Sequence, residues 1–340
     1  MTNVRHSLDY TDRRIAASLL ASPRASWREI GRCLGLSERT VVRRAVPLYG
    51  DGTLRATAVR NPAYFPGAVP IALRIRCRPN KIRQVANALS RRPDTIWVDI
   101  LGGGDEISAV FFLDNPDNRN ALLLRDLPAT DAVVSWTAHT LLRVFRATFH
   151  WTAGLLTAEE AAGLAIAEPE IVATPTDLPA PLDIDTDLIA ALVENGRITY
   201  TDLADRIGTS ALTARRRLDT LLRGNVIRLA TEVDLALLGV HAEALLWISV
   251  QPAALERVAE TLAGHPLVRF VAATTGTVNL MVAVATTDLS AIYAFLIDTI
   301  GPLSGISAID TTPILATAKR TGLARRPFTE SADSTRNGRR

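Results

Sequence analysis

Cysteine is nearly absent from this chain of 340 residues: Cys33 and Cys77 are the only two. They fall in different predicted domains. Neither has a Cys or His neighbour at metal-ligand spacing, so no zinc site is expected. A reduced, cytoplasmic compartment is the simplest reading. Aromatic residues make up only 5%, while hydrophobic residues reach 48%, so the cores must be aliphatic. Runs of 18 or more apolar residues are missing, which excludes a membrane-spanning helix. The opening MTNVRHSLDYTDRR lacks the apolar stretch of a secretory signal. His139, His150, His241 and His265 are scattered, without an Asp, Ser or Cys partner at a recognisable spacing. No catalytic residue, metal or cofactor is expected from them.

Acidic residues are scarce in one half. Residues 1–150 carry 22 Lys+Arg against 13 Asp+Glu, about +9, and the remainder carries 16 against 22, about −6. Nearly all the cations are Arg. A basic half beside an acidic half suggests that one end meets a polyanion.

What the chain has in quantity is itself. Leu8-Asp9-Tyr10-Thr11-Asp12 is answered by Leu182-Asp183-Ile184-Asp185-Thr186. Ile30, Leu34, Gly35, Ser37, Thr40, Arg43 and Arg44 recur at a spacing of 173 as Leu203, Ile207, Gly208, Ser210, Thr213, Arg216 and Arg217. That period is too long for a solenoid unit, so each copy is domain-sized. Two such copies can make within one chain the two-fold arrangement that single-copy proteins reach by dimerising.

Each copy reads the same way. Residues 8–58 give three short helices and a strand. Ser26 and Ser37 are placed to cap the second and third helices, and Gly35 ends the second. Val41, Ala45 and Leu48 recur at helical spacing and should face the core, leaving Arg39, Thr40, Arg43 and Arg44 on the open side. Pro47 is expected to end this third helix early. Residues 69–145 then give strands and helices in the order βαββαβ, a ferredoxin-like plan. Its middle strands, Thr95 to Leu101 and Ile107 to Leu113, are joined by a turn at Gly102-Gly103-Gly104-Asp105. The last strand is expected at Val133 to Leu142. In the second copy the turn is expected at Gly276-Thr277-Val278-Asn279.

The fold class predicted is therefore α+β, with two copies of an N-terminal (winged) helix-turn-helix plus a ferredoxin-like βαββαβ domain. The boundaries are 1–60 and 61–145 for the first copy, 146–181 for a linker, and 182–230 and 231–322 for the second. The linker is expected to hold a helix from Thr157 to Ala167 and a semi-rigid segment with Pro169, Pro175, Pro179 and Pro181. Residues 323–340 are polar and expected to be disordered.

A helix, a tight turn and a capped second helix bearing outward Arg and Thr suit the major groove. Guanine edges and phosphates need forked donors, and a capped helix N-terminus can face a phosphate. The candidate DNA contacts are Ser37, Arg39, Thr40, Arg43 and Arg44, with Ser210, Thr213, Arg216 and Arg217 in the second copy. Leu212 replaces Arg39 there, and residues 182–230 balance seven Arg against seven acids where residues 1–60 run eleven against five. The first module should bind double-stranded DNA more strongly.

These motifs resemble the Lrp/AsnC, or feast/famine, family of transcription regulators. The resemblance rests on the Leu8-Asp9 and Leu182-Asp183 openings, on Leu36-Ser37 through Arg44, and on the glycine turn, and it covers roughly 280 residues. It implies regulation of transcription, assembly of pseudo-dimeric chains into homo-oligomers, and a small-molecule effector such as an amino acid. The effector residues it implies are Gly102, Gly104, Asp105, Gly276 and Asn279. Two other readings stay open. Siroheme decarboxylases resemble the same two-domain family and bind a tetrapyrrole. An interaction scaffold that has lost DNA binding is the third.

Overall fold

The computed structural model describes residues 7–65, 67–147, 151–164 and 183–325. The first three helices are α1 (Tyr10–Ala21), α2 (Trp27–Leu34) and α3 (Glu38–Gly50), followed by β1 (Arg55–Arg60). Ser26 and Glu29 form a reciprocal capping box at α2, and Gly35 closes it in the left-handed region at φ 68°. Helix α3 does not stop at Pro47 but runs on to Gly50. A proline forfeits one intrahelical hydrogen bond and clashes with the turn before it. Buried Val41, Ala45 and Leu48 hold α3 against the module's core all the same. The second copy repeats this as α7 (Asp183–Glu194), α8 (Tyr200–Ile207), α9 (Ala211–Arg223) and β6 (Ile227–Glu232).

Among the described residues no wing forms behind α3. Strand β1 pairs antiparallel with β6 of the other copy, and Thr57 lies opposite Ala230. Those two residues are 173 apart, so the pseudo-two-fold axis passes between them.

The first ferredoxin-like unit comprises β2 (Val69–Cys77), α4 (Ile82–Arg91), β3 (Thr95–Leu101), β4 (Glu106–Leu113), α5 (Pro116–Ala121) and β5 (Val133–Arg146). The second comprises β7 (Ala242–Val250), α10 (Leu255–Ala263), β8 (Val268–Thr274), β9 (Leu280–Thr286), α11 (Leu289–Ala294) and β10 (Ile306–Arg320). A π-helical turn extends α5 over Leu122–Asp126 and α11 over Phe295–Ile300. Between the units lies α6 (Ala158–Leu164), which reaches the last described residue of this stretch; the rest of the expected helix and the proline segment lie outside the described residues. Leu323–Ala324 form a short strand, β11, on β10, which corrects the expectation that the tail begins at 323. The rest of that tail, from residue 326, lies outside the described residues.

Strand order is β3-β4-β2-β5 in the first unit and β8-β9-β7-β10 in the second, all antiparallel, as the ferredoxin-like plan requires. Strand β5 is longer than the sequence suggested because it enters both sheets, and β10 does the same. Strand β5 leaves β2 to pair with β8, where Leu141 faces Thr274. Strand β10 leaves β7 to pair with β3, where Ile314 faces Leu101. The two registers are related by the same pseudo-two-fold at the spacing of 173.

The sheets are buried on both faces. Ile71, Leu73 and Ile75 point to the helices of the first unit, and Ala244, Leu246 and Ile248 to those of the second. The alternate residues, among them Ala72, Trp97, Leu245 and Trp247, meet in a shared core between the sheets. This burial is the main force joining the copies, at about 25 cal/mol per Å² of apolar surface.

Candidate nucleic-acid interface

The recognition-helix residues divide into two groups. Arg39 and Arg43 are exposed, and no hydrogen bond or ion pair holds either guanidinium among the described residues. Arg44 is not available in the same way. Its Nη1 reaches Asp9 at 2.6 Å and Asp12 at 2.8 Å, tying α3 to the first turn of α1. The Asp12 amide, then Arg44, holds the Asp9 carboxyl below its usual range. Arg217 repeats the device, gripping buried Asp185 through both carboxylate oxygens. The expectation of an outward Arg44 and Arg217 is thereby corrected. The sequence puts them on the open face, and only the docking of the first helix shows that acids wait there.

Ser37 and Ser210 do cap their helices. Ser37 Oγ accepts from the Thr40 amide at 3.1 Å and lies 2.8 Å from Thr40 Oγ1. Ser210 and Thr213 match this at 3.2 and 2.9 Å. These hydroxyls are first of all structural, and the amides they leave over sit at the helix N-terminus, where a phosphate could approach.

Two residues escaped the sequence reading. Arg28 and Arg32 are one turn apart on α2, and both are exposed. With Arg39 and Arg43 they give the first module four exposed guanidinium groups on its helix-turn-helix. At the spacing of 173 the four positions become Thr201, Asp205, Leu212 and Arg216 in the second module. A comparison of the aligned copies, rather than of the third helix alone, would have found them. In a helix-turn-helix the first helix crosses the DNA backbone while the second enters the groove.

The modules also hold each other. Arg24 donates to the carbonyls of Gly196 and Ile198, both at 2.9 Å, and stacks over Tyr200 at 4.8 Å. Arg197, its counterpart, donates to Pro23 at 2.6 Å and Ala25 at 3.2 Å, and stacks over Trp27 at 4.2 Å. Every partner in one half of this clasp is 173 residues from its partner in the other.

The two glycine turns are unlike. Strand pairing at constant spacing, Ile75 with Ile107 and Ile248 with Leu280, sets Asp105 against Val278, not Asn279. The expected match of the turns is therefore off by one residue. Asp105 is accessible and lies 3.6 Å from Arg76. Gly104 holds φ 70°, a left-handed conformation that glycine adopts without a Cβ clash. Asn279 instead spends its amide on Val250, accepting from its N–H at 2.8 Å and donating to its carbonyl at 2.9 Å. Gly276 is pressed against His139, and a Cβ there would lie 2.9 Å from the ring. His139 is itself buried, hydrogen-bonded at Nδ1 to the Thr275 carbonyl and stacked on Trp247. Gly102 abuts Pro313 of β10. His150 lies outside the described residues.

Fold and surface together define a duplicated helix-turn-helix protein on a paired ferredoxin-like core. Residues 8–48 and 183–222 match the AsnC-type helix-turn-helix domain, and residues 243–324 match the Lrp/AsnC ligand binding domain. An uncharacterized HTH-type transcriptional regulator of Pyrococcus abyssi is 31% identical over 144 residues, which is 42% of this chain and 90% of the relative. The transcriptional regulator AzlB of Bacillus subtilis is 27% identical over 143 residues, 41% of this chain and 91% of that protein. The chain belongs to the Lrp/AsnC family. Among solved structures, a siroheme decarboxylase, NirDL, in co-complex with an iron-uroporphyrin III analogue covers 92% of this chain and 93% of its own at a TM-score of 0.57. Its sequence identity is 14%, so the likeness is one of fold.

Proposed function

We propose that the chain is a transcription regulator that binds specific sites on double-stranded DNA, with the first helix-turn-helix as principal reader. The observation that carries this is the set of four exposed arginines, Arg28, Arg32, Arg39 and Arg43, on α2 and α3, none of them in an ion pair among the described residues. Arg39, Thr40 and Arg43 read base edges, and Arg28 and Arg32 hold phosphates. The second module contributes Arg216 and the N-terminus of α9, and serves mainly to set orientation through the Arg24–Arg197 clasp. The chain acts by binding rather than catalysis, in the cytoplasm, as the relatives named above are regulators.

A small molecule modulates it, a reading supported by the ligand-binding-domain match. The class proposed is an amino acid, with Asp105 accepting from the α-ammonium group and the Gly102–Gly104 amides facing the carboxylate. Whole chains assemble further through α11, where Leu289, Tyr293 and Ile297 are exposed at i, i+4 and i+8.

The test is selection of bound fragments from random DNA, followed by gel shifts on the selected site. Arg39→Ala and Arg43→Ala should each weaken that site by roughly 1–3 kcal/mol where a base contact is lost. Arg28→Ala and Arg32→Ala should weaken all sequences alike and reduce the salt slope by about one each. Arg216→Ala should cost less. Undiminished binding after Arg39→Ala with Arg43→Ala would remove the interface, and equal losses from both modules would remove the asymmetry.

A further inference from the structure

The duplication leaves two related spaces beneath the β1–β6 ribbon, and they have diverged. The first is a cavity of about 110 Å³ bounded by Val59, Arg60, Pro62 and Ile96 among others. At the spacing of 173 these become Glu232, Val233, Leu235 and Arg269, and those four line a second space of only about 20 Å³. The second is closed by side chains. Arg269 replaces Ile96, is held by Glu243 at 2.7 Å, and lies 5.3 Å under the ring of Trp151. An empty void costs stability in proportion to its volume. One copy has been filled and the other kept open, so the open one is not a requirement of the fold.

The wall of the open cavity states what it would hold. Trp97, Phe112 and Phe270 form an aromatic box with aliphatic Val110 and Val144. An apolar cavity of roughly 150 Å³ accepts benzene, so about 110 Å³ with an open side takes a ring of that order. Three arginines, Arg60, Arg228 and Arg320, line it; Asp114 meets Arg60 at 3.4 Å and Glu243 meets Arg320 at 3.0 Å from outside the lining, and among the described residues no carboxylate lines the cavity itself. Two donors in the wall lack an acceptor: Trp97 Nε1 and Arg320 Nε are buried with no hydrogen-bond partner among the described residues. Trp97 is 8% and Arg320 2% exposed.

We propose that this cavity binds a small organic carboxylate with a ring-sized apolar body, one per chain. The ring enters among Trp97, Phe112 and Phe270, and the carboxylate meets the arginines. Val59 belongs to β1, so an occupant touches the ribbon that carries both helix-turn-helix modules.

The experiment is calorimetric and thermal-shift titration of the full chain, without DNA, using benzoate and phenylacetate against benzamide and phenylacetamide. The carboxylates should bind saturably at one per chain and raise the melting temperature. The amides should bind at least about tenfold more weakly, because they lose the charge-assisted hydrogen bonds. Val144→Trp should abolish binding by filling the space. Arg60→Gln with Arg228→Gln should erase the preference for acid over amide, and this variant decides the matter if Val144→Trp does not fold. Asp105→Ala should leave the titration unchanged, which separates this site from the glycine turn. No carboxylate binding at millimolar concentration, equal affinity for the amides, two equivalent sites, or binding that survives Val144→Trp would each overturn the proposal. None of these readouts depends on DNA binding.

Discussion

Arg44 and Arg217 occupy helix positions that face away from their own core, yet both are spent inside the protein. Exposed Arg39 and Arg43 differ from them only in what the first helix brings near. Arg44→Ala should therefore lower stability by about 1 kcal/mol, as a partly exposed ion pair does, and leave base preference unchanged. Denaturant unfolding and a selected-site gel shift would check both halves. Asp99 makes the opposite case of a buried acid. Burial lifts its carboxyl to about 6, although Arg320 lies 3.6 Å away and Thr317 donates at 2.6 Å. A folded-state value above the unfolded one, near 3.9, means that proton uptake favours the fold. That contribution is full below about pH 3.9 and is lost as pH rises through about 6. The stability of Asp99→Asn relative to the parent should then rise between about pH 4 and 6, by roughly 1–3 kcal/mol. A flat difference across that window would show that Asp99 titrates normally.

Among elements, the turns before α2 and before α8 matter as much as the recognition helices. Each presents two carbonyls to the other's arginine. Arg197→Ala would leave the Pro23 and Ala25 carbonyls without a donor and remove a stacked cation, a loss of about 1–3 kcal/mol. Lysine should rescue poorly, since it has no planar fork. Spin labels on α3 and α9 should report a broadened distance distribution in Arg24→Ala with Arg197→Ala. An unchanged distribution would show that the β1–β6 ribbon alone sets the spacing of the modules. The register of β5 and β10 is a second lesson at this scale. Sequence alternation located β5 as far as Leu142, but not that the far halves of β5 and β10 cross into the other sheet. Those halves pair with the other copy's sheet, and no local pattern encodes a partner so distant in the chain.

At the scale of the molecule, the copies are joined by far more than their covalent link. The ribbon, the two exchanged strands and the shared core all cross the repeat boundary. A chain cut between residues 169 and 181 should stay together as two fragments at micromolar concentration, by size exclusion, and should unfold in one transition. Separate elution would mean that the inter-sheet core is weaker than its burial implies. Fusion has a further effect. A homodimer must keep both halves identical, whereas a duplicated chain can vary one. Here it has kept the arginines on one helix-turn-helix, closed one of two spaces with Trp151 and Arg269, and spent Asn279 on Val250 where the first copy has Glu106 paired with Arg74.

The sequence by itself determined the repeat, the helix-turn-helix with its serine caps and glycine stop, the βαββαβ order, and the bias of charge toward the first module. These are carried by local spacing and by identity between copies, which a single chain displays. Tertiary structure alone decided which arginines are free, where the glycine turns match, and that one cavity stays open while its twin is filled. Each of those depends on groups far apart in sequence meeting across a strand or helix pair: Arg44 with Asp9 and Asp12, Asn279 with Val250, Arg269 with Glu243 and Trp151. Residue spacing reports which face a side chain is on; what lies opposite that face is set by the packing.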